Sequence, residues 1–391
     1  MKILLVYDCI YPESLGGGEY RNHCLAQALA ERGHRVTVAG WVTAVPTVTD
    51  RISILPLAFR SPIHDGSGKR ATVASIRFML AVAKLDLSAY DVIETANIPY
   101  IHIFPLALRC LLSGKLLVVT WHEFFGTYWK QYQGRLLAPA YRFLEWLCAQ
   151  IGQVNAPSSL TAGRLQRVRI RAGGPDIPVI PNGVWLRDIQ TAVVAPATDG
   201  PILLYAGRLI PEKRIDLLLR AVAKLKRSPS ITKHFLLAVV GDGPDRERLE
   251  RLAVDLGVEP HIKFYGHLPD IVGVWKLIAS AKIAVQPSVR EGFGLFPLEA
   301  IALGIPVVTC DAPDNAVGAL VRHDVEGLCC APEPDALATT LEYLLEDQAL
   351  WHRLSKAGKR RAAHYDWPAV AEQMEGFFLQ FLADRRTKSF R

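Results

Sequence analysis

The stretch from Ser288 to Pro306 reads SVREGFGLFPLEAIALGIP, and it decides how the second half of the chain is interpreted. A carboxylate, Glu291, follows an apolar, strand-like run and leads into a glycine-containing loop. The pattern then predicts a helix that begins near Pro297, carries Glu299 in its first turn and ends at Gly304. A glycine loop before a helix N-terminus leaves backbone N–H groups unpaired, and these groups can bind a phosphate.

Two carboxylates flank this predicted phosphate site. Glu299 lies eight residues after Glu291, and a carboxylate can accept hydrogen bonds from two adjacent hydroxyls, such as those of a ribose. The combination indicates a nucleotide that carries a sugar. The same residues also fit a purely structural interpretation, in which Glu299 is an N3 residue that supports the helix start and Glu291 is a solvated loop residue.

Length and composition limit the possible classes of protein. The chain has 391 residues, half of them apolar, which is enough for two domains of about 150 residues each. Its net charge of +7 fits an anionic substrate or membrane surface, and no pattern typical of nucleic-acid binding accompanies it. Seven scattered cysteines without a Cys-x-x-Cys pair favour a reduced, cytoplasmic compartment. We find neither a signal peptide nor a membrane-spanning stretch.

Strand and helix patterns alternate in both halves of the chain, which predicts parallel sheets covered on both faces. A linker is predicted at 190–200, where the sequence is small, contains proline and lacks periodicity. The predicted domains are therefore 1–190 and 200–367, with a last helix, about 368–391, that packs back on the first domain. The predicted fold class is α/β, with two facing Rossmann-like parallel-sheet domains and an interdomain cleft.

Polar residues collect directly after predicted strands or within the short loops that follow them. They are Gly16 to Gly18, His122, Arg208, Lys213 and Glu291. Ligands of open parallel sheets bind beyond the carboxyl ends of the strands. We therefore expect these groups to meet in one cleft.

The sequence resembles a known family, the retaining glycosyltransferases of family 4, which are also called glycosyl transferases group 1. Members of this family have the GT-B fold. The matching motifs follow the family order across nearly the whole chain. They are GGGE (16–19), AGRLIPEK (206–213), VVGDGP (239–244), YGHLP (265–269) and EGFGLFPLEAIALGIPVV (291–308). The spacing of the two glutamates around Gly-Phe-Gly-Leu is the most specific of these features.

The resemblance implies roles for particular residues. The implied catalytic residues are His122, Arg208, Lys213 and Glu291. The implied donor-binding residues are Gly16, Gly17, Gly18, Gly266, Phe293, Gly294, Leu295 and Glu299. In this assignment Arg208 and Lys213 stabilise the negative charge that develops on the departing diphosphate, and Glu299 holds the ribose hydroxyls.

The resemblance also implies the reaction: transfer of a sugar from a nucleoside-diphosphate donor to a hydroxyl, with retention of configuration, no cofactor and no metal. Two cations can replace a metal at the diphosphate, and the sequence lacks an Asp-x-Asp motif. The chain departs from many relatives at Trp185, where they carry aspartate. The alternatives are a sugar-nucleotide epimerase, a phosphorylase or a non-catalytic homologue. The base, the sugar, the acceptor and the oligomeric state stay open.

The acceptor is expected to be a glycan or a lipid-linked molecule. The segment from Phe124 to Trp146 is dense in aromatic and basic residues, and the segment from Arg164 to Arg171 contains four arginines. Such segments suit an anionic membrane surface. The same pattern also fits helices that pack on a sheet and expose a solvated basic face. We therefore expect a cytoplasmic protein, with peripheral association at the inner face of the membrane as a hypothesis.

Overall fold

The structure, a computed structural model, describes residues 1–13, 16–42, 51–57, 70–170, 176–192, 202–226 and 237–389. The chain divides into two compact units. The first comprises residues 1–182 together with 367–391, and the second comprises residues 183–366.

The first unit is built on a parallel sheet of six strands in the order β3-β2-β1-β4-β5-β6. The strands are β1 (Lys2–Cys9), β2 (Arg35–Trp41), β3 (Ile52–Pro56), β4 (Val92–Ala96), β5 (Leu116–Thr120) and β6 (Gln153–Asn155). The helices along residues 1–182 are α1 (Gly17–Glu31), α2 (Thr72–Val82), α3 (Ile103–Ser113), α4 (Trp129–Tyr132), α5 (Gly134–Ala149) and α6 (Ser159–Val168). Buried side chains of α2, α3 and α5 join β1, β4 and β5 in one apolar core.

The second unit repeats this architecture with the order β14-β12-β10-β7-β8-β9. Its strands are β7 (Leu203–Ala206), β8 (Leu237–Val240), β9 (Ile262–Gly266), β10 (Ile283–Gln286), β11 (Arg290–Glu291), β12 (Val307–Cys310), β13 (Asp314–Asn315) and β14 (Gly327–Cys330). Its helices are α7 (Leu186–Ala192), α8 (Ile215–Leu225), α9 (Arg246–Asp255), α10 (Ile271–Ser280), α11 (Leu295–Leu303), α12 (Val317–Leu320), α13 (Pro334–Glu346) and α14 (Gln348–Ala362). Strands β11 and β13 form a separate small parallel ladder.

The boundary between the units falls after Asn182, earlier than the predicted linker at 190–200, most of which lies outside the described residues. The reason is the packing of α7. This helix rests against α10 and α11, and its Ile189 is fully buried in the core of the second unit. The backbone N–H of Val184 also donates to the carbonyl of Tyr365, at 2.8 Å.

The last helix, α15 (Trp367–Ser389), belongs to the first unit. It packs along α1, and Arg32 Nε donates to the Glu375 carboxylate at 2.6 Å. The two sheets confirm the predicted α/β class with two Rossmann-like parallel-sheet domains. None of the helices in the described part of the chain combines the length and the apolar character needed to cross a membrane.

Candidate active site

The second unit has a topological switch point between β7 and β10. From β7 the chain runs to β8 and β9 on one side of the sheet, and β10 then returns to the other side of β7. Loops that leave such a pair of strands diverge and open a crevice at the carboxyl edge, where ligands of this fold bind. Arg208 and Lys213 follow β7, and Glu291 follows β10, so all three predicted residues leave the sheet at this crevice.

Lys213 and Glu291 are in direct contact. The Lys213 ammonium donates to Glu291 Oε2, and both side chains are less than one-fifth exposed. Gln286, the last residue of β10, donates to the same carboxylate oxygen at 3.0 Å. Gln286 also donates to Ser288 Oγ at 2.8 Å, which fixes its amide. This arrangement contradicts a solvated, unattached Glu291.

Arg208 follows β7 at the same edge of the sheet. Its backbone carbonyl accepts a hydrogen bond from the Tyr205 hydroxyl at 3.0 Å, and its side chain is exposed at the edge of the sheet. Burial raises the pKa of Tyr205, and the charges of Glu291 and Arg208 both act on this phenol. Two cations and one carboxylate therefore follow β7 and β10 at the carboxyl edge of the sheet.

The loop after Glu291 is fixed by backbone and ionic contacts. Arg290 is buried and donates to Asp314 Oδ2 at 2.9 Å, while the Glu291 carbonyl accepts from Ala316 N–H at 2.9 Å. Gly294 then adopts a φ of 102°, and a Cβ there would collide with Val317 Cγ2 at 2.9 Å. Only glycine fits this position.

The helix after this loop begins at Leu295, so the predicted start near Pro297 is wrong. Gly294 is the N-cap and Pro297 is the third helical residue, where its missing N–H has no intrahelical acceptor in any case. Glu299 is therefore the fifth helical residue and cannot be the N3 residue of the structural interpretation. Gly304 ends the helix with a φ of 78°, as predicted.

Glu299 is almost completely buried and accepts a hydrogen bond from Trp275 Nε1 at 3.2 Å. Burial raises the pKa of its carboxyl group to about 7, and the Trp275 hydrogen bond opposes this shift. The group is thus close to half protonated at neutral pH. A ligand that prefers the ionised form of this carboxyl group will therefore release its proton on binding.

The turns after β7, β8 and β9 are tied together. The N–H of Gly207 donates to the Val240 carbonyl at 3.0 Å, and the N–H of Gly241 donates to the Gly266 carbonyl at 2.8 Å. A Cβ on Gly241 would overlap the carbonyl of Gly207. The position of Arg208 therefore depends on how closely Gly241 approaches its neighbouring turn.

His122 follows β5 in the first unit, and Asn97 holds its backbone. The Asn97 amide is fully buried. It accepts from His122 N–H at 3.1 Å and donates to the Glu123 carbonyl at 3.0 Å. Burial, and secondarily the charge of Arg21, lower the pKa of His122 to about 3, so its imidazole is neutral at physiological pH.

The predicted glycine loop of the first unit is the start of a helix. Gly16 is the N-cap of α1, and Gly17 and Gly18 are its first two residues. The Glu19 carboxylate lies against Gly16 and accepts a hydrogen bond from Cys9 Sγ at 2.8 Å. This helix N-terminus, where the resemblance implies a diphosphate, already contacts a carboxylate of the chain itself.

The second unit thus brings Lys213 and Glu291 into contact with Arg208 nearby, whereas Glu299 is held separately against α10. Sequence reasoning missed Gln286, Trp275 and Asn97, which orient the predicted residues. Gln286 alone carried a signal, since it is a polar residue at the end of an apolar strand. Along the described ranges, no group of three or more His, Cys, Asp or Glu side chains is arranged to hold a metal ion.

Two family models together match most of the chain. The family described as "Glycosyl transferases group 1" matches residues 187–361, and the family described as "Glycosyltransferase Family 4" matches residues 15–188. The D-inositol 3-phosphate glycosyltransferase of Frankia alni is 40% identical over 185 residues, which are 44% of this chain and 44% of that protein. The match to this protein and to the other curated relatives of similar rank spans less than half of their length.

Solved structures confirm the predicted GT-B fold class. Sucrose-phosphate synthase from Thermosynechococcus elongatus superimposes with a TM-score of 0.79 at 23% identity, over 98% of this chain and 99% of that one. HepE from Anabaena, in complex with UDP-glucose, superimposes with a TM-score of 0.70 at 20% identity, over 98% of this chain and 100% of that one.

Proposed function

The chain belongs to the group 1 glycosyltransferases of family 4, and from this membership we propose that it transfers a sugar from a nucleoside-diphosphate donor to a hydroxyl acceptor. The observation that carries the proposal is the contact of Lys213 with Glu291 at the carboxyl edge of β7 and β10, the edge at which Arg208 also leaves β7. The order in which the chain adds strands to the sheet reverses between these two strands.

Each group has a part in the proposed reaction. Breaking the bond between sugar and diphosphate leaves negative charge on the phosphate oxygens. Arg208 and Lys213, held in position before the reaction, stabilise that charge as it develops. Glu291 faces the transferred sugar and keeps the Lys213 ammonium oriented. Glu299 holds the ribose hydroxyls, and Gly266 with residues 293–295 lines the rest of the donor site.

We assign His122 to the binding of the acceptor hydroxyl. A neutral imidazole can accept or donate a hydrogen bond to a sugar hydroxyl without adding a further positive charge. We further propose retention of configuration without a metal ion, with the departing phosphate oxygen helping to deprotonate the acceptor. The acceptor class proposed is a glycan or lipid-linked hydroxyl, and the compartment is the cytoplasm.

The test begins with donor binding, measured by calorimetry for UDP, GDP, ADP and their common sugar conjugates. UDP comes first because Anabaena HepE was captured with UDP-glucose. Selective micromolar binding of one nucleotide supports the proposal, and a product whose anomeric configuration matches the donor supports retention. Absence of binding by every nucleotide would favour a non-catalytic homologue and overturn the assignment.

The raised pKa of Glu299 predicts pH-dependent donor binding. A ribose diol that donates two hydrogen bonds prefers the ionised carboxylate, so binding releases the proton that burial retains near pH 7. Affinity should therefore rise with pH, and the Kd for the donor sugar nucleotide should be about tenfold weaker at pH 6 than at pH 8. Calorimetry with the sugar conjugate is suitable because its doubly esterified diphosphate does not titrate in this range.

The matched variant is Glu299→Gln, which keeps the size and hydrogen-bonding capacity of the side chain and removes the titration. It should bind the donor more weakly than the wild type at pH 8, with a Kd that is flat between pH 6 and pH 8. A variant that keeps the full pH dependence would show that another group is responsible.

A further inference from the structure

Helices α2, α3 and α5 of the first unit carry apolar side chains on their outer as well as their inner faces. Their inner residues form the core against the sheet. Their outer residues include ten exposed large hydrophobic side chains. These are Val73, Ile76 and Leu80 on α2, Phe104, Leu108, Leu111 and Leu112 on α3, and Leu136, Leu137 and Phe143 on α5. We call this surface the α2–α3–α5 face.

The spacing of these residues makes continuous stripes. On α2 the outer residues recur at i, i+3 and i+7, opposite the buried Ala74, Phe78 and Val82. The most exposed positions are Leu136 at 91% and Leu112 at 77%. Helices that are apolar all round are normally found in protein interiors or in contact with lipid, and apolar patches of this kind mark interaction sites.

The charges on the same helices have one sign. Each of α2 and α3 contains one arginine and no acidic residue, and α5 contains Arg135, Arg142 and the fully buried Glu145. Arg77, Arg135 and Arg142 are exposed, whereas Arg109 donates to the Ala83 carbonyl at 3.1 Å. Helices α2 and α5 therefore carry exposed cations, and none of the three helices carries an exposed carboxylate. From this combination we propose that the α2–α3–α5 face docks the protein on an anionic lipid bilayer, with leucines inserted at the acyl boundary and arginines at the headgroups.

A second copy of the chain fits this face less well. In a two-fold contact the same patch meets itself, so the exposed arginines of both copies would be brought together. The bilayer supplies the complementary charge that this face lacks.

The structure divides the segment 124–146 of the sequence hypothesis between the protein interior and the surface. Leu136, Leu137 and Phe143 lie on the α2–α3–α5 face. Other aromatic residues of the segment pack on one another: Trp129 stacks on Tyr141 with centroids 4.8 Å apart and donates to buried Glu145 at 3.0 Å. Arg169 of the basic segment donates to the Ala149 carbonyl at 2.6 Å. These contacts are structural, and the outer leucines carry the proposed membrane contact.

The test is co-sedimentation of the full chain with vesicles, without any substrate, so that its outcome is independent of the proposed reaction. Vesicles of phosphatidylcholine and phosphatidylglycerol in equal parts, at an ionic strength of about 0.15 M, should bind the protein. Phosphatidylcholine vesicles should bind it much less. Replacing Arg135 and Arg142 by Gln should weaken binding to the anionic vesicles about fivefold for each arginine.

The decisive variant combines Leu112→Glu with Leu136→Glu, which should weaken vesicle binding more than about tenfold. Both side chains are exposed, so the fold is retained. The matched control combines Val254→Glu with Tyr343→Glu, two exposed apolar positions of the second unit, and should bind as the wild type does. The proposal is overturned if neither vesicle binds the protein or if the decisive variant binds normally. It is also overturned if sedimentation velocity reveals a dimer that this variant dissociates.

Discussion

Replacing Lys213 by alanine should lower kcat for sugar transfer by about 10²–10³-fold, the loss typical of one preorganised charge at a developing anion. The reason lies in the position of this ammonium. It follows β7, contacts Glu291 of β11, and lies at the switch point between β7 and β10. A donor diphosphate at this edge would meet an oriented cation rather than a mobile surface lysine. Transfer at saturating donor, with radiolabelled sugar as the readout, measures the effect.

The fold should tolerate this change, because Lys213 is partly exposed and Glu291 keeps its hydrogen bond from Gln286. A Tm within a few degrees of the wild type is therefore expected. The matched control is Lys224→Ala in α8, another lysine of the same unit that pairs with a carboxylate, Asp335. Since Lys224 lies away from the carboxyl edge, its loss should leave kcat unchanged. Equal losses in both variants, or normal turnover of Lys213→Ala, would contradict the assigned role.

The sequence predicted the parts of this site that depend on local pattern. Apolar runs followed by polar residues identified the strand ends, and the motif spacing singled out Lys213 and Glu291 before their contact was known. The start of α11 was predicted two residues too late, because the preference of proline for the first helical position was applied without considering Gly294. With a φ of 102°, that glycine caps the helix before Leu295, and Glu299 moves into the second turn.

The supporting residues could not be predicted from the sequence, because they join elements that are distant along the chain. Trp275 reaches Glu299 from α10, and Asn97 reaches the His122 backbone from the end of β4. Such pairs depend on strand register and helix rotation, which are fixed by packing rather than by local propensity. The domain boundary has the same origin, since the burial of Ile189 places α7 with the second unit.

Replacing Gly241 by alanine should destabilise the second unit by about 3 to 5 kcal/mol. Two effects act together: Gly241 has a φ of 116°, and the added Cβ would overlap the backbone carbonyl of Gly207. Because both obstacles are backbone features, no rotamer change can relieve them. A thermal scan should show the transition of this unit lowered by on the order of 10 °C.

The matched control is Gly318→Ala, at an exposed position in α12 where a Cβ meets no atom within 4 Å. There alanine should be neutral or stabilising by up to about 1 kcal/mol, because it favours the helix over glycine. The Gly241 variant should also bind nucleotide more weakly, since the turn that shifts is the one that carries Arg208. A Gly241→Ala protein with the wild-type Tm would show that the turns after β7 and β8 are not as closely packed as described.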